Sequence, residues 1–179
     1  MSYYVNGPHV HEYLKEYRAV AEEYDAMLLG EGPRMEPETA LIYEESGELD
    51  LMFNFSHMEA DCTVTDFLQK PFDLLKLKSA FSRWQKGLNG RAWNTLYLEN
   101  HDHARVISRY GSEKFRVESG KMLACAYLLQ QGTPFLYQGQ EIGMTNLRLP
   151  RTDMYVDVQL KNNVRIASRL MSKKKVLEN

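Results

Sequence analysis

Apolar positions along the chain alternate between helical and strand-like spacing. Val10, Leu14, Tyr17 and Ala21 follow Gly7-Pro8 at helical intervals, which predicts a helix with proline near its first turn. Ala26-Met27-Leu28-Leu29 reads as a short buried strand ending at Gly30-Glu31. Residues 37–45 read as a second helix, stopped near Gly47, and Leu49 to Phe55 as a second strand. After a long connection from Ser56 to Pro71, Leu74, Leu75, Leu77, Phe81 and Trp84 mark one helix face, closed by Gly87 or Gly90. Trp93 to Leu98 reads as the third strand. Glu113 to Gln131 reads as a helix, apolar on nearly all sides after Met122 and so expected to be well buried. Thr133 to Tyr137 is the fourth strand, with Pro134 at its entry. The rest begins as a loop and is expected to turn helical from about Val158.

Strands alternating with helices predict an α/β fold with a parallel sheet covered on both faces. Such folds place their chemistry at the C-terminal ends of the strands. Here those ends carry Glu31, His57, Asn100-His101-Asp102 and residues 138–141, so polar groups gather on one rim.

A chain of 179 residues is long enough for one domain with a real core. Its net charge of -2 gives no basic footprint for nucleic acid, and Lys173-Lys174-Lys175 reads as a solvated helix end. Two distant cysteines, Cys62 and Cys125, make neither a disulfide framework nor a zinc site. Together with an N-terminus that lacks signal-peptide shape, this makes a cytoplasmic setting the simpler expectation. The apolar run from Met122 to Leu129 is too short to span a bilayer, so no membrane association is expected.

Each polar cluster has a chemical and a plain reading. Glu31 is a general acid raised by burial, or a helix-start carboxylate or salt-bridge partner. Asp102 is a carboxylate facing a cationic transition state, or the N-cap of a helix at Val106. As a pair on one rim they have the composition that glycosidic-bond cleavage requires. His9-Val10-His11 and His101-Asp102-His103 have a spacing seen in zinc sites, but no third ligand follows and no metal is expected. His101 is better read as a donor to a substrate hydroxyl or as a satisfied buried histidine. Arg105 either pairs with Asp102 or Glu31, grips a ligand, or is a surface cation. Residues 137–141 line a pocket or form a hydrogen-bonded turn. There is no Gly-rich phosphate loop and no G-x-S-x-G elbow, and no cofactor is expected.

These residues carry a resemblance. Tyr97-Leu98-Glu99-Asn100-His101-Asp102 resembles the last conserved region of glycoside hydrolase family 13, the α-amylase superfamily. Residues 24–31 resemble the region of its acid/base glutamate, and residues 132–146 its eighth-strand segment. Asn6-Gly7-Pro8-His9 and Phe55-Ser56-His57-Met58-Glu59 are similar to the oligo-1,6-glucosidase and α-glucosidase branch. The matches fall in order over nearly the whole chain.

The resemblance implies a partial (β/α)8 barrel of about four βα units, with residues 1–179 as one domain, the C-terminal half of an α-glucosidase barrel. It implies Glu31 as general acid/base and Asp102 as transition-state stabiliser. His101, with Asn100 and Arg105, is implied to bind substrate, an α-linked gluco-oligosaccharide. The family's nucleophile lies in a G-F-R-x-D type motif, which this sequence lacks; the nucleophile-bearing half and the C-terminal β-domain are expected to be absent. Gly32-Pro33-Arg34 stands where relatives often show Met-Pro-Gly, and Ala104 where proline is common. The chain is therefore expected to be inactive alone. The alternatives are a split enzyme needing a partner chain, or a non-catalytic oligomeric or sugar-binding remnant. A half barrel leaves sheet edges and an apolar inner face uncovered, so a homo-oligomer through those edges or that face is expected.

Overall fold

In a computed structural model the chain is described over residues 6–62, 70–158, 161–162 and 164–166. The order is α1 (Val10–Glu23), β1 (Leu29–Gly32), α2 (Pro37–Glu45), β2 (Leu51–Asn54), α3 (Leu74–Leu88), β3 (Thr95–Leu96), α4 (Val106–Arg109), α5 (Arg116–Leu128) and β4 (Thr133–Pro134). Short 3-10 turns occupy Ser56–Glu59, Gln140–Ile142 and Thr152–Met154.

Local chemistry accounts for the helices. Pro37 opens α2, where its missing N–H has no intrahelical partner to lose. Asp73 caps α3 by accepting from the N–H groups of Leu75 and Lys76, at 2.9 and 3.1 Å. Of the two glycines expected to end α3, Gly87 lies inside it: a Cβ there would come within 2.5 Å of Pro37, so the residue lets α2 and α3 approach closely. Helix α3 ends one residue later at Leu88.

The strands are parallel, as expected, but shorter. β1 pairs with β2 with Glu31 opposite Phe53, and β3 pairs with β4 with Thr95 opposite Thr133. The four form two two-stranded pieces rather than one continuous ladder. Side chains bridge the seam between β2 and β3: Thr95 Oγ1 donates to the Met52 carbonyl at 2.9 Å, and Asn54 Nδ2 donates to Asn94 Oδ1 at 3.4 Å. The result is a partial α/β barrel with helices outside.

Two apolar clusters fill the layer between strands and helices. Leu96, Tyr97, Leu98, Val106, Tyr110, Leu123 and Tyr127 form one with Met58 and Leu77. Leu41, Tyr43, Leu49, Met52, Trp84 and Leu88 form the other, joined by Val10 and Leu14 of α1. Two expectations change here. The first strand starts at Leu29 rather than Ala26 and takes Glu31 into its ladder, while Met27 is left 62% exposed. Helix α5 is not well buried: Ser119, Leu123 and Tyr127 face inward, whereas Met122 and Leu129 are exposed. An all-round apolar sequence does not say which faces find partners. Positions 158, 161–162 and 164–166 are helical as expected; the Lys173–Lys175 run lies outside the described residues.

Candidate active site

Glu31 sits at the C-terminal end of β1 with its side chain open to solvent. Asn100, His101 and Asp102 form the turn that leaves β3. Asn100 Oδ1 accepts from the Asp102 N–H at 2.9 Å and its carbonyl accepts from the His103 N–H at 3.4 Å, which folds the three residues outward. His101 Nε2 lies 3.5 Å from Asp102 Oδ2, and both side chains are well exposed. Asp102 does not cap α4; that place belongs to Arg105.

A group between the strand ends feels both acids. The Tyr97 side chain is 2% exposed and its hydroxyl is buried without a hydrogen-bond partner. Burial raises its pKa far above the ordinary phenol range, and the nearby charge of Glu31, then of Tyr110 and Asp102, raises it further against Arg109. Phe53, Phe55 and His57 meet the Tyr97 ring edge-on at 5.6, 6.0 and 4.7 Å. Tyr97 and these rings form an aromatic floor.

The loop bearing His101 and Asp102 is tied down by Glu99. This carboxylate is buried, accepting from the Val106 N–H at 2.8 Å and from Arg105 Nη1 at 2.9 Å. Arg105 therefore pairs with Glu99, not with Asp102 or Glu31. It also donates to the Gln138 carbonyl at 2.7 Å and lies 5.0 Å over the Tyr137 ring, while its N–H reaches Asn146 Oδ1 at 2.8 Å. These bonds join the two ends of the loop to the segment after β4. That segment is a hydrogen-bonded turn: the Gln140 N–H donates to the Tyr137 carbonyl at 2.8 Å and the Gly139 N–H to Glu141 Oε2 at 2.8 Å. Gly139 has φ +88, and a Cβ there would lie 2.2 Å from Met144 Sδ and 3.3 Å from Arg105 Nη2. Sequence reasoning treats Glu99 only as part of a motif; the available signal is a carboxylate directly following an apolar strand run.

His57 supports the floor from beneath. It is 3% exposed; Nε2 lies 2.8 Å from the Tyr97 carbonyl and Nδ1 3.3 Å from Asn54 Oδ1. A neutral ring facing a carbonyl carries its proton on Nε2. Burial holds its pKa down at about 4. The unfolded chain takes up this proton near 6.5, so the folded form is penalised as pH falls from 6.5 to 4, by about 3 kcal/mol in all. Glu44 of α2 acts in the opposite sense. Burial raises it to about 7, the Met52 and Trp93 N–H groups pulling the other way. Its contribution is complete below the unfolded carboxylate value and is lost as pH rises through 7. Between pH 4.5 and 6.5 the two slopes oppose each other. Glu44→Gln is expected to unmask stability that rises with pH, and His57→Asn stability that falls. Urea unfolding free energies across that window check this, and a pH profile unchanged in both variants would refute it.

With this geometry in place, comparison with known proteins is decisive. The alpha amylase catalytic-domain family matches residues 1–176. The chain belongs to that family. Among its relatives, the oligo-1,6-glucosidase of Parageobacillus thermoglucosidasius is 46% identical over 165 residues, covering 89% of this chain and 29% of the relative. The trehalose-6-phosphate hydrolase of Bacillus subtilis (strain 168) is 42% identical over 167 residues, covering 90% and 30%. A crystal structure of Bacillus licheniformis trehalose-6-phosphate hydrolase superposes with a TM-score of 0.89 at 41% identity, covering 98% of this chain and 33% of that one. The chain thus spans about a third of the length of these alpha amylase family members. The expected fold class, a partial barrel with parallel strands, agrees with this membership. Among the described residues, no helix is long and apolar enough to cross a membrane.

Proposed function

We propose that residues 1–179 carry part of the active site of a retaining α-glucosidase acting on α-linked gluco-oligosaccharides. The reading rests on one observation above the others: Glu31, at the C-terminal end of β1, and Asp102, in the turn that follows β3, are exposed carboxylates at the C-terminal ends of parallel strands. Glu31 delivers a proton to the glycosidic oxygen as the bond breaks, then takes one from the incoming water. Asp102, with His101 and Asn100, binds sugar hydroxyls and favours the positive charge that develops at the anomeric carbon. Arg105 positions this loop through Glu99 rather than gripping sugar directly. The segment corresponds to the second half of the barrel, and Cys62 and Cys125, which form no disulfide, suit a reducing cytoplasm.

Residues 1–179 hold no G-F-R-x-D motif, so the nucleophile must be supplied from elsewhere. The purified chain alone is expected to give no turnover of an aryl α-glucoside. Mixing it with a separately produced N-terminal half of an oligo-1,6-glucosidase is expected to produce turnover. Activity in the lone chain, abolished by Glu31→Gln, would overturn the need for a partner. Sugar binding with no turnover in either sample would favour a non-catalytic remnant.

A further inference from the structure

We propose that the seam between β2 and β3 encloses a binding site for a single water molecule, held by His57, Asn54 and Asn94. The inference stands on the fold and not on the glycosidase reading. Asn54, His57 and Asn94 meet in the core at 2, 3 and 7% exposure. Their bonding leaves one mismatch. His57 Nε2 gives its proton to the Tyr97 carbonyl at 2.8 Å, so Nδ1 of the neutral ring is an acceptor. It faces Asn54 Oδ1, a second acceptor, at 3.3 Å. Asn54 Nδ2 is engaged elsewhere, donating to Asn94 Oδ1 at 3.4 Å. Turning the Asn54 amide over would only move the conflict to Asn94 Oδ1. Protonating His57 would supply a donor, but burial, reinforced by the charges of His103 and Arg109, opposes a cation there. Two buried acceptors in contact call for a donor to both, and water is the smallest molecule that offers two protons.

The walls leave room for it. A cavity of about 10 Å³ lies against these groups, close to the smallest space that holds one water and too small for a larger ligand. Of its nine lining residues all but Phe81 are under a tenth exposed, so the site is walled by residues 54–97 themselves. One water proton goes to His57 Nδ1 and the other to Asn54 Oδ1. The Asn94 amide stands in the same wall to donate to the water oxygen. The site also has a structural purpose. β2 and β3 belong to separate two-stranded pieces, and side chains bridge the gap between them. The water joins Asn54 at the end of β2 to Asn94 just before β3, beside the Thr95 bond to the Met52 carbonyl. By donating to Nδ1 it fixes the His57 proton on Nε2, and with it the bond to the Tyr97 carbonyl. That carbonyl lies two residues before Glu99, the carboxylate that anchors the loop of His101 and Asp102.

Water-selective NMR on the isotope-labelled full chain tests this. Cross-peaks from the water resonance to the Asn54 and Asn94 side-chain amide protons are expected, with opposite signs in laboratory-frame and rotating-frame spectra. Opposite signs report a held water molecule, whereas proton exchange gives equal signs. Thr95 and Tyr97 also line the cavity, and their hydroxyls could relay a water signal by exchange. The cross-peaks are therefore expected to survive in Thr95→Val and in Tyr97→Phe, each checked for folding by its amide spectrum. Their loss in a folded variant would assign them to that hydroxyl and overturn the proposal. Wild-type spectra without the cross-peaks overturn it outright. So does a coupling from an Asn54 amide proton to His57 Nδ1, which would mean that both asparagine amides are turned over and satisfy the ring without water. Ordered density between His57 Nδ1 and Asn54 Oδ1 in a crystal of the wild-type chain gives the same answer without any variant, and a well-ordered crystal showing none there overturns the proposal.

Discussion

Replacing Arg109 with methionine is expected to cost about 3–5 kcal/mol of folding stability, the typical loss when one partner of a buried ion pair is removed. Arg109 Nε donates to Asp61 Oδ2 at 2.7 Å, and Nη2 donates to Asp61 Oδ1 and to the Met58 carbonyl, both at 2.6 Å. Both side chains are under a tenth exposed. Methionine approximates the stem of arginine but leaves the Asp61 carboxylate buried without its cation. A domain of this size is stable by roughly 5–15 kcal/mol, so the loss is a large share of the total. The damage also reaches the site. Arg109 lies 5.0 Å over the Tyr110 ring, and the Tyr110 hydroxyl donates to the His57 carbonyl at 3.2 Å, under the Tyr97 floor. Arg109→Met combined with Asp61→Leu is expected to recover most of the loss, because no uncompensated charge remains. Urea midpoints with an unchanged m-value measure both variants. A single-variant loss below about 1 kcal/mol would show that the pair contributes no more than a surface one.

Glu31→Gln is expected to lower kcat/KM by about 10²–10⁴-fold on maltose-type substrates once residues 1–179 are complemented into a working assembly. Glutamine keeps the shape and cannot donate the carboxylic proton. The loss should depend on the leaving group. A dinitrophenolate leaves without protonation, so its first-step rate is expected to be largely spared, whereas a sugar alkoxide is not. Asp102→Asn is expected to affect both substrates alike, since it acts on the charge at the anomeric carbon rather than on the leaving oxygen. Equal losses on both substrates for Glu31→Gln would remove Glu31 from the acid/base role.

Much of the layout was legible because its causes are local. Helix α2 spans the predicted 37–45, set by Pro37 at its start and the turn at Gly47. Helix α1 follows the spacing of Val10, Leu14, Tyr17 and Ala21, although that spacing did not reveal that Tyr17 faces solvent. The strands were recognised but overdrawn. Thr95 and Leu96 alone make the β3 ladder, although the apolar run is longer, because a ladder needs a partner at each position and the partner's register is a distant fact.

The sequence by itself determined the element types, their order and the polar rim that Glu31, Asn100, His101 and Asp102 occupy. Each of these follows from residues near in the chain, through periodicity, capping and turn chemistry. Only the tertiary structure decided that Glu99 is buried and holds Arg105, that the Tyr97 hydroxyl is buried without a hydrogen-bond partner, and that one face of α5 is left open. Burial and pairing are set by groups brought together from far along the chain, as when Arg105 meets Gln138 and Asn146, and no local pattern encodes that meeting.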